Sequence, residues 1–215
     1  MWWMKKTLTT LLLAILAIAI VTPNEAFAAT QLKQGSVNGD VWDLQYRLQM
    51  LGYYDDKLDG IYGSDTIHAV KQFQRNYGLS ADGVVGNKTW RTLKRVSVNQ
   101  KEMQLLAQLV YSEARGEKYE GQVAVAAVAM NRLRSSDFPD TINGVIFEPY
   151  AFTAVDDGQF WLAPNKTAYR AAWDAVRGWD PTNGALYYFN PVTATSDWIW
   201  SRPQIKQIGK HIFAR

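Results

Sequence analysis

Cysteine is absent from the 215-residue chain, and histidine occurs only as His68 and His211. The first absence excludes a disulfide framework, a thiol nucleophile and thiolate metal sites. The second leaves too few ligands, too far apart in sequence, for the His-rich zinc centre of a metal-dependent amidase. Neither charge sign forms a long run: 23 basic against 20 acidic residues give a formal charge of +3, without the basic stripe of a nucleic-acid binder. No partner motif surrounds a candidate serine nucleophile. The residue inventory implies neither a cofactor nor a metal.

A hydrophobic fraction of 47% over this length supplies the cores of one large domain or two modest ones. Residues 1–28 carry Lys5 and Lys6, an apolar stretch from Leu11 to Val21, Pro23 and the small-x-small ending Ala26-Phe27-Ala28. This is the layout of a secretory signal peptide cut after Ala28. The apolar stretch is shorter than the roughly 20 residues a bilayer span requires, so no stable membrane span is expected after cleavage.

From Val41 to Leu93 the chain repeats itself. Asp59-Gly60-Ile61-Tyr62-Gly63-Ser64-Asp65-Thr66 returns as Asp82-Gly83-Val84-Val85-Gly86-Asn87-Lys88-Thr89. Each copy introduces a helix, with glycines for a tight loop and Ser64 or Asn87 as the expected N-cap. Leu44, Leu48 and Leu51 mark one amphipathic helix, Ile67, Val70 and Phe73 a second, Trp90 and Leu93 a short third. With its LQ, LGYY and paired DGxxGxxT strings, this stretch resembles the three-helix peptidoglycan-binding domain of exported wall hydrolases. The resemblance implies a domain over 34–96, with Asp59, Tyr62 and Asp82 as candidate glycan-facing residues and most other aromatics in its core. The connector 94–100 is brief, polar and free of Gly/Pro tracts, which predicts two domains held near each other.

Residues 101–133 read as two helices around a polar break. Met103, Leu106, Leu109 and Val110 repeat at three- and four-residue steps, and the next position on that face is Glu113. A carboxyl ending an apolar stripe on a last helical turn is partly desolvated, which favours its protonated form and suits proton donation. The run Val123 to Met130 is small and apolar on every side, as in a helix buried all round. Glu117 and Glu120 open that second helix, where acids favour the positive helix end. Ala151 to Trp161, with Asp156-Asp157-Gly158 at its centre, predicts a hairpin. Residues 167–177 predict a scaffold helix.

The string YSEARGEKYEGQVAVAAVAMNRLRSSDFPDTINGVI, followed by the aromatic run Ala185 to Pro191 and the Gly-Lys-His-Ile-Phe ending, resembles the catalytic domain of spore cortex-lytic enzymes and related cell-wall hydrolases of the SleB/CwlJ type. The resemblance covers 101–215. It implies a mainly α (α+β) protein whose second domain is lysozyme-like with a small β-hairpin or sheet, and it places the catalytic acid at Glu113. Thr153, Tyr187, Tyr188, Asn190 and Trp198 become candidate substrate-binding residues, since aromatic faces stack on sugars. His211 reads as structural or substrate-contacting.

Glycosidases ordinarily use two carboxylates, and no obvious second one accompanies Glu113. One acid suffices for lytic transglycosylation, the reaction the resemblance implies, with a 1,6-anhydro-muramic product. A muramidase or amidase of the vegetative wall, and a non-catalytic wall-binding protein, are the alternatives. The resemblance further implies action outside the cytoplasm on spore cortex during germination, recognition of muramic δ-lactam, and a companion germination protein.

Overall fold

The computed structural model describes residues 31–156 and 158–215, so the expected signal peptide lies outside the described residues. Three helices come first: α1 (Gly39–Met50), α2 (Ser64–Asn76) and α3 (Asn87–Val96). They close around Leu44, Leu48, Val70, Phe73, Trp90 and Leu93, all buried. Asn38 caps α1, its side chain accepting from the Val41 amide at 3.0 Å. The caps of α2 and α3 are Gly63 and Gly86 in extended conformation, one residue before the Ser64 and Asn87 expected from sequence.

The repeated DGxxGxxT strings are two copies of one hydrogen-bond network, each built on a buried glutamine. The Gln45 Nε2 group donates to Asp59 Oδ1 (2.9 Å), the Ile61 carbonyl (3.1 Å) and Thr66 Oγ1 (3.2 Å), while Oε1 accepts from the Gly60 amide (2.9 Å). The Gln74 Nε2 group donates to Asp82 Oδ1 (2.9 Å), the Val84 carbonyl (2.9 Å) and Thr89 Oγ1 (3.3 Å), and Oε1 accepts from the Gly83 amide (2.9 Å). Gly60 and Gly83 hold positive φ, of 72° and 74°, which explains the glycine in each copy.

These networks correct the reading of the wall-facing residues. Tyr62 is 1% exposed, and its hydroxyl donates to the Gly83 carbonyl at 2.9 Å, tying one loop to the other. It is a core residue, because a ring of that size is needed inside so small a module. Asp59 and Asp82 are exposed, but each Oδ1 is committed to its own loop. The Gln45 side chain and then the Ile61 amide hold the Asp59 carboxyl below its usual range; the Val84 amide and then Gln74 do the same for Asp82. Because the folded values are depressed, this stabilisation is present above the unfolded value of about 3.9 and is lost as pH falls through the folded ones. The double change Asp59→Asn and Asp82→Asn keeps both acceptor oxygens. It is expected to leave the melting temperature near neutrality little changed and to flatten its decline below about pH 4. Parallel declines in variant and wild type would contradict this.

The connector is rigid rather than loose. Ser97 is buried, and its hydroxyl donates to the Leu93 carbonyl at 2.6 Å. Asn99 then caps α4 (Gln100–Ala114) in a reciprocal box with Glu102. Arg47, 1% exposed on α1, bonds the Ser97 carbonyl (3.1 Å), Glu102 (2.9 Å) and Asp43 (3.1 Å). Met50, also on α1, is buried within the second core. One helix of the first domain is thus built into the second.

At the centre of the second domain α5 (Tyr119–Arg134) is buried along Gly121 to Met130, as its all-round apolar sequence predicts. On one side it packs against α4 and α8 (Lys166–Val176). On the other, Ala124 and Val128 meet a three-stranded antiparallel sheet through Ala185, Ile208 and Phe213. Its strands are β1 (Tyr187–Phe189), β2 (Gln204–Ile208) and β3 (His211–Ala214), in the order β1-β3-β2. Short helices α6 (Ile142–Ile146), α7 (Thr153–Asp156) and α9 (Asp197–Trp200) lie in the connections.

The hairpin predicted over Ala151 to Trp161 does not form; α7 and a 3₁₀ turn at Gln159–Trp161 occupy that stretch. Gly158 does take the positive φ of a turn, 79°. Phe152 and Phe160 both enter the helical core on either side of it, and the described residues of the segment pair with no strand. The sheet comes instead from the last 30 residues.

Candidate active site

Glu113 is the penultimate residue of α4. Met103, Leu106, Leu109 and Val110, the stripe that precedes it, are all buried, so the helix is fixed and the carboxyl emerges where the core ends. Among the groups that orient it are a backbone amide and a phenol. The Ala154 amide donates to Oε1 at 2.7 Å, and the Tyr188 hydroxyl donates to Oε2 at 2.9 Å. The first is supplied by α7, whose opening amides have no intrahelical carbonyl to bond.

Tyr188 reaches Glu113 from β1, opposite Phe213 on β3. Its ring is braced by Phe152, Phe213 and His211, at centroid distances of 6.3, 5.8 and 5.1 Å. The start of β1 is anchored through Asp180, which accepts from Asn131 of α5, from Thr182 and from the Gly184 amide. Burial, and then the charge of Glu113, push the Tyr188 phenol well above its usual value, so it stays neutral. A neutral phenol donates to a carboxylate and can turn to accept from a carboxylic acid, so this contact serves Glu113 in both protonation states.

A cleft of about 440 Å³ opens over Glu113, lined also by Arg132, Tyr150, Thr153, Tyr187, Tyr188 and Trp198. Among the described residues lining it, Glu113 is the only carboxylate. A larger cleft of about 500 Å³, lined by Tyr46, Met103, Tyr169 and Trp173 among others, lies between the domains, and no acid is among the described residues lining it. Chemistry rather than size selects the site.

Four of the five residues expected at the substrate, Thr153, Tyr187, Tyr188 and Trp198, line the Glu113 cleft. The fifth, Asn190, is not among the lining residues; its Oδ1 accepts from the Val192 amide at 3.0 Å in a local turn. Glu117 and Glu120 stand away from the cleft. Glu117 accepts from the Lys210 amide at the β2–β3 turn, and Glu120 pairs with Lys206 at 3.3 Å. His211 stands behind Tyr188; burial holds its imidazole below the usual value, the charge of Glu117 opposing. Among the described residues no group of three or more His, Cys, Asp or Glu could hold a metal ion.

Arg132 and Tyr150 are among the lining residues that the sequence reading does not single out. Arg132 continues the line Ala124, Val128 at four-residue steps, so an inward cation at the end of an apolar helix was readable from spacing. Tyr150 is 93% exposed with φ of 64°, an uncommon conformation for a bulky residue, and no periodicity marks it.

Comparison with known proteins agrees with this architecture. The family profile described as Cell Wall Hydrolase matches residues 116–214, beginning just after Glu113, and a peptidoglycan binding domain profile matches 37–93. A spore cortex-lytic enzyme of Oceanobacillus iheyensis is 45% identical over 90% of this chain and 90% of its own length. That of Bacillus subtilis is 40% identical over 87% and 90%. The crystal structure of the catalytic domain of Bacillus cereus SleB is 65% identical, with a TM-score of 0.53, covering 55% of this chain and 93% of that one. The catalytic domain of SleB from Bacillus anthracis, described as a germination-specific lytic transglycosylase, is 64% identical with the same TM-score, covering 55% and 97%.

Proposed function

The chain belongs to the spore cortex-lytic enzymes, and from that premise we propose that it cleaves the glycan strand of spore-cortex peptidoglycan by lytic transglycosylation, with Glu113 as the acid and then the base. Glu113 gives its proton to the oxygen bridging C1 of a muramoyl residue to the next sugar, and the C1–O bond breaks. The resulting carboxylate takes the proton of the muramoyl 6-hydroxyl, whose oxygen closes onto C1. One carboxyl is regenerated and no water is consumed. The observation that carries this reading is a single carboxyl among the described cleft residues, which accepts from the Ala154 amide and from the Tyr188 phenol, a bond able to reverse. A hydrolytic glycosidase would want a second acid across the cleft to activate water.

In the same reading Thr153, Tyr187 and Trp198 contact the sugars, and the first domain keeps the enzyme on the wall. The finer substrate is cortex bearing muramic δ-lactam, met outside the cytoplasm at the cortex, with a companion germination protein; the support for these details is family resemblance alone. Mass spectrometry of digests tests the reaction. The expected products end in 1,6-anhydro-muramic residues, one water lighter than hydrolytic ends. Reducing muramic ends would make the enzyme a muramidase, and free peptides an amidase.

A further inference from the structure

Arg132 is a buried cation with no acid paired to it. The residue is 6% exposed on the cleft side of α5. Its Nε–H donates to the Leu186 carbonyl at 2.7 Å and Nη1 reaches the Ala151 carbonyl at 3.5 Å, whereas Nη2 bonds to no described residue. Around it stand rings: Phe152, Phe138 and Tyr187, with centroids 4.9, 5.2 and 5.5 Å from the guanidinium carbon. Glu148 acts on it electrostatically, but the ion pairs among the described residues do not include Arg132. A second guanidinium, that of Arg202, lies over the same Tyr187 ring at 5.1 Å and over Trp198 at 5.3 Å, and its Nε–H donates to the Arg215 main-chain oxygen at 2.9 Å. Among the described residues, Arg132 thus brings to the cleft a cation with no acid in ion-pair contact.

Taking a charge out of water without a counter-ion is costly, and such groups concentrate where a ligand completes them. The planar guanidinium has two edges held by carbonyls and one Nη left over, between flat aromatic walls. That arrangement suits a planar anion small enough to enter beside the sugar. We propose that Arg132 forms a carboxylate-binding subsite of the Glu113 cleft, taking the free carboxylate of a muramoyl substituent on the strand being cleaved. The inference rests on the glycan-cleaving reading above. The carboxylate is that of a stem peptide, since in the δ-lactam, as in a peptide-bearing residue, the lactyl carboxyl is already closed into an amide.

The test uses the whole protein and strands of known substituents. Cortex strands that keep their stems carry free peptide carboxylates, and carbodiimide coupling to methylamine makes the same strands neutral. Neutralisation is expected to raise KM about tenfold with little change in kcat, the weight of one charge-assisted hydrogen bond. Strands treated likewise after removal of their stems are expected to show no such penalty. Arg132→Lys keeps the charge and loses the fork, and is expected to shrink the preference to about twofold. A folded Arg132→Lys that retains the full preference overturns the assignment. Should that variant fail to fold, the wild-type comparison decides alone. Equal KM for charged and neutral strands that are both cleaved refutes the subsite and leaves the proposed function standing. No cleavage of any strand removes the glycan-cleaving function on which it rests.

Discussion

Glu113→Gln is expected to lower turnover on peptidoglycan by about two to four orders of magnitude while leaving folding and wall retention intact. The amide keeps the length and helical propensity of the side chain, and its carbonyl oxygen can still accept from the Ala154 amide. Its NH₂ group would then face Tyr188, whose hydroxyl turns from donor to acceptor without loss of the contact. What disappears is the transferable proton, in both halves of the reaction. Two companions calibrate the result. Tyr188→Phe removes one hydrogen bond to the carboxyl and should cost about tenfold in kcat, near the worth of a hydrogen bond to a charged group. Glu117→Gln loosens the β2–β3 turn at Lys210, away from the cleft, and should cost less still. Turnover is followed by release of soluble glycan, folding by melting curves, and retention by pelleting with sacculi. Undiminished turnover in Glu113→Gln would falsify the assignment of the acid.

The site was legible in sequence where one local pattern sufficed. The three- and four-residue steps from Met103 end at Glu113, and the structure buries every member of that stripe. The all-apolar run of α5 likewise reads directly as a helix enclosed on all sides. Residues 151–161 misled because a glycine turn between two apolar segments has the same local signature whether its flanks are strands or helical turns. What decides is distant: Glu113, 41 positions before Ala154, needs that backbone amide. Tyr188 was placed near the sugars for its aromatic face, but its hydroxyl is the part that touches the acid, across 75 residues. Arg47 was invisible for the same reason, being an ordinary polar residue on an amphipathic helix until Ser97 and Glu102 fold onto it. The DGxxGxxT repeat marked two loops correctly. It did not reveal the glutamines that hold them, because Gln45 precedes its loop aspartate by 14 positions and Gln74 by only 8.

Those glutamines set the second large effect, a loss of about 3 kcal/mol of stability in either Gln45→Leu or Gln74→Leu. Each side chain is at most 1% exposed and serves a glycine amide, a carbonyl, an aspartate and a threonine at once. Leucine fits the volume but strands those groups, and a buried polar group left without its partner costs about 1–3 kcal/mol. Both variants should therefore melt earlier and pellet poorly with sacculi. Their effects on turnover should differ. Gln45 lies on α1, which carries Arg47 and Met50 into the second domain, so its loss should also lower turnover on soluble glycan. Gln74 lies on α2, whose buried residues all serve the first core, so Gln74→Leu should spare turnover on soluble strands while losing grip on the wall. Urea unfolding followed separately by wall binding and by turnover distinguishes the two. A change below about 1 kcal/mol in both variants would mean that water satisfies the loops, and equal loss of turnover in both would mean that α1 is not the element coupling the domains.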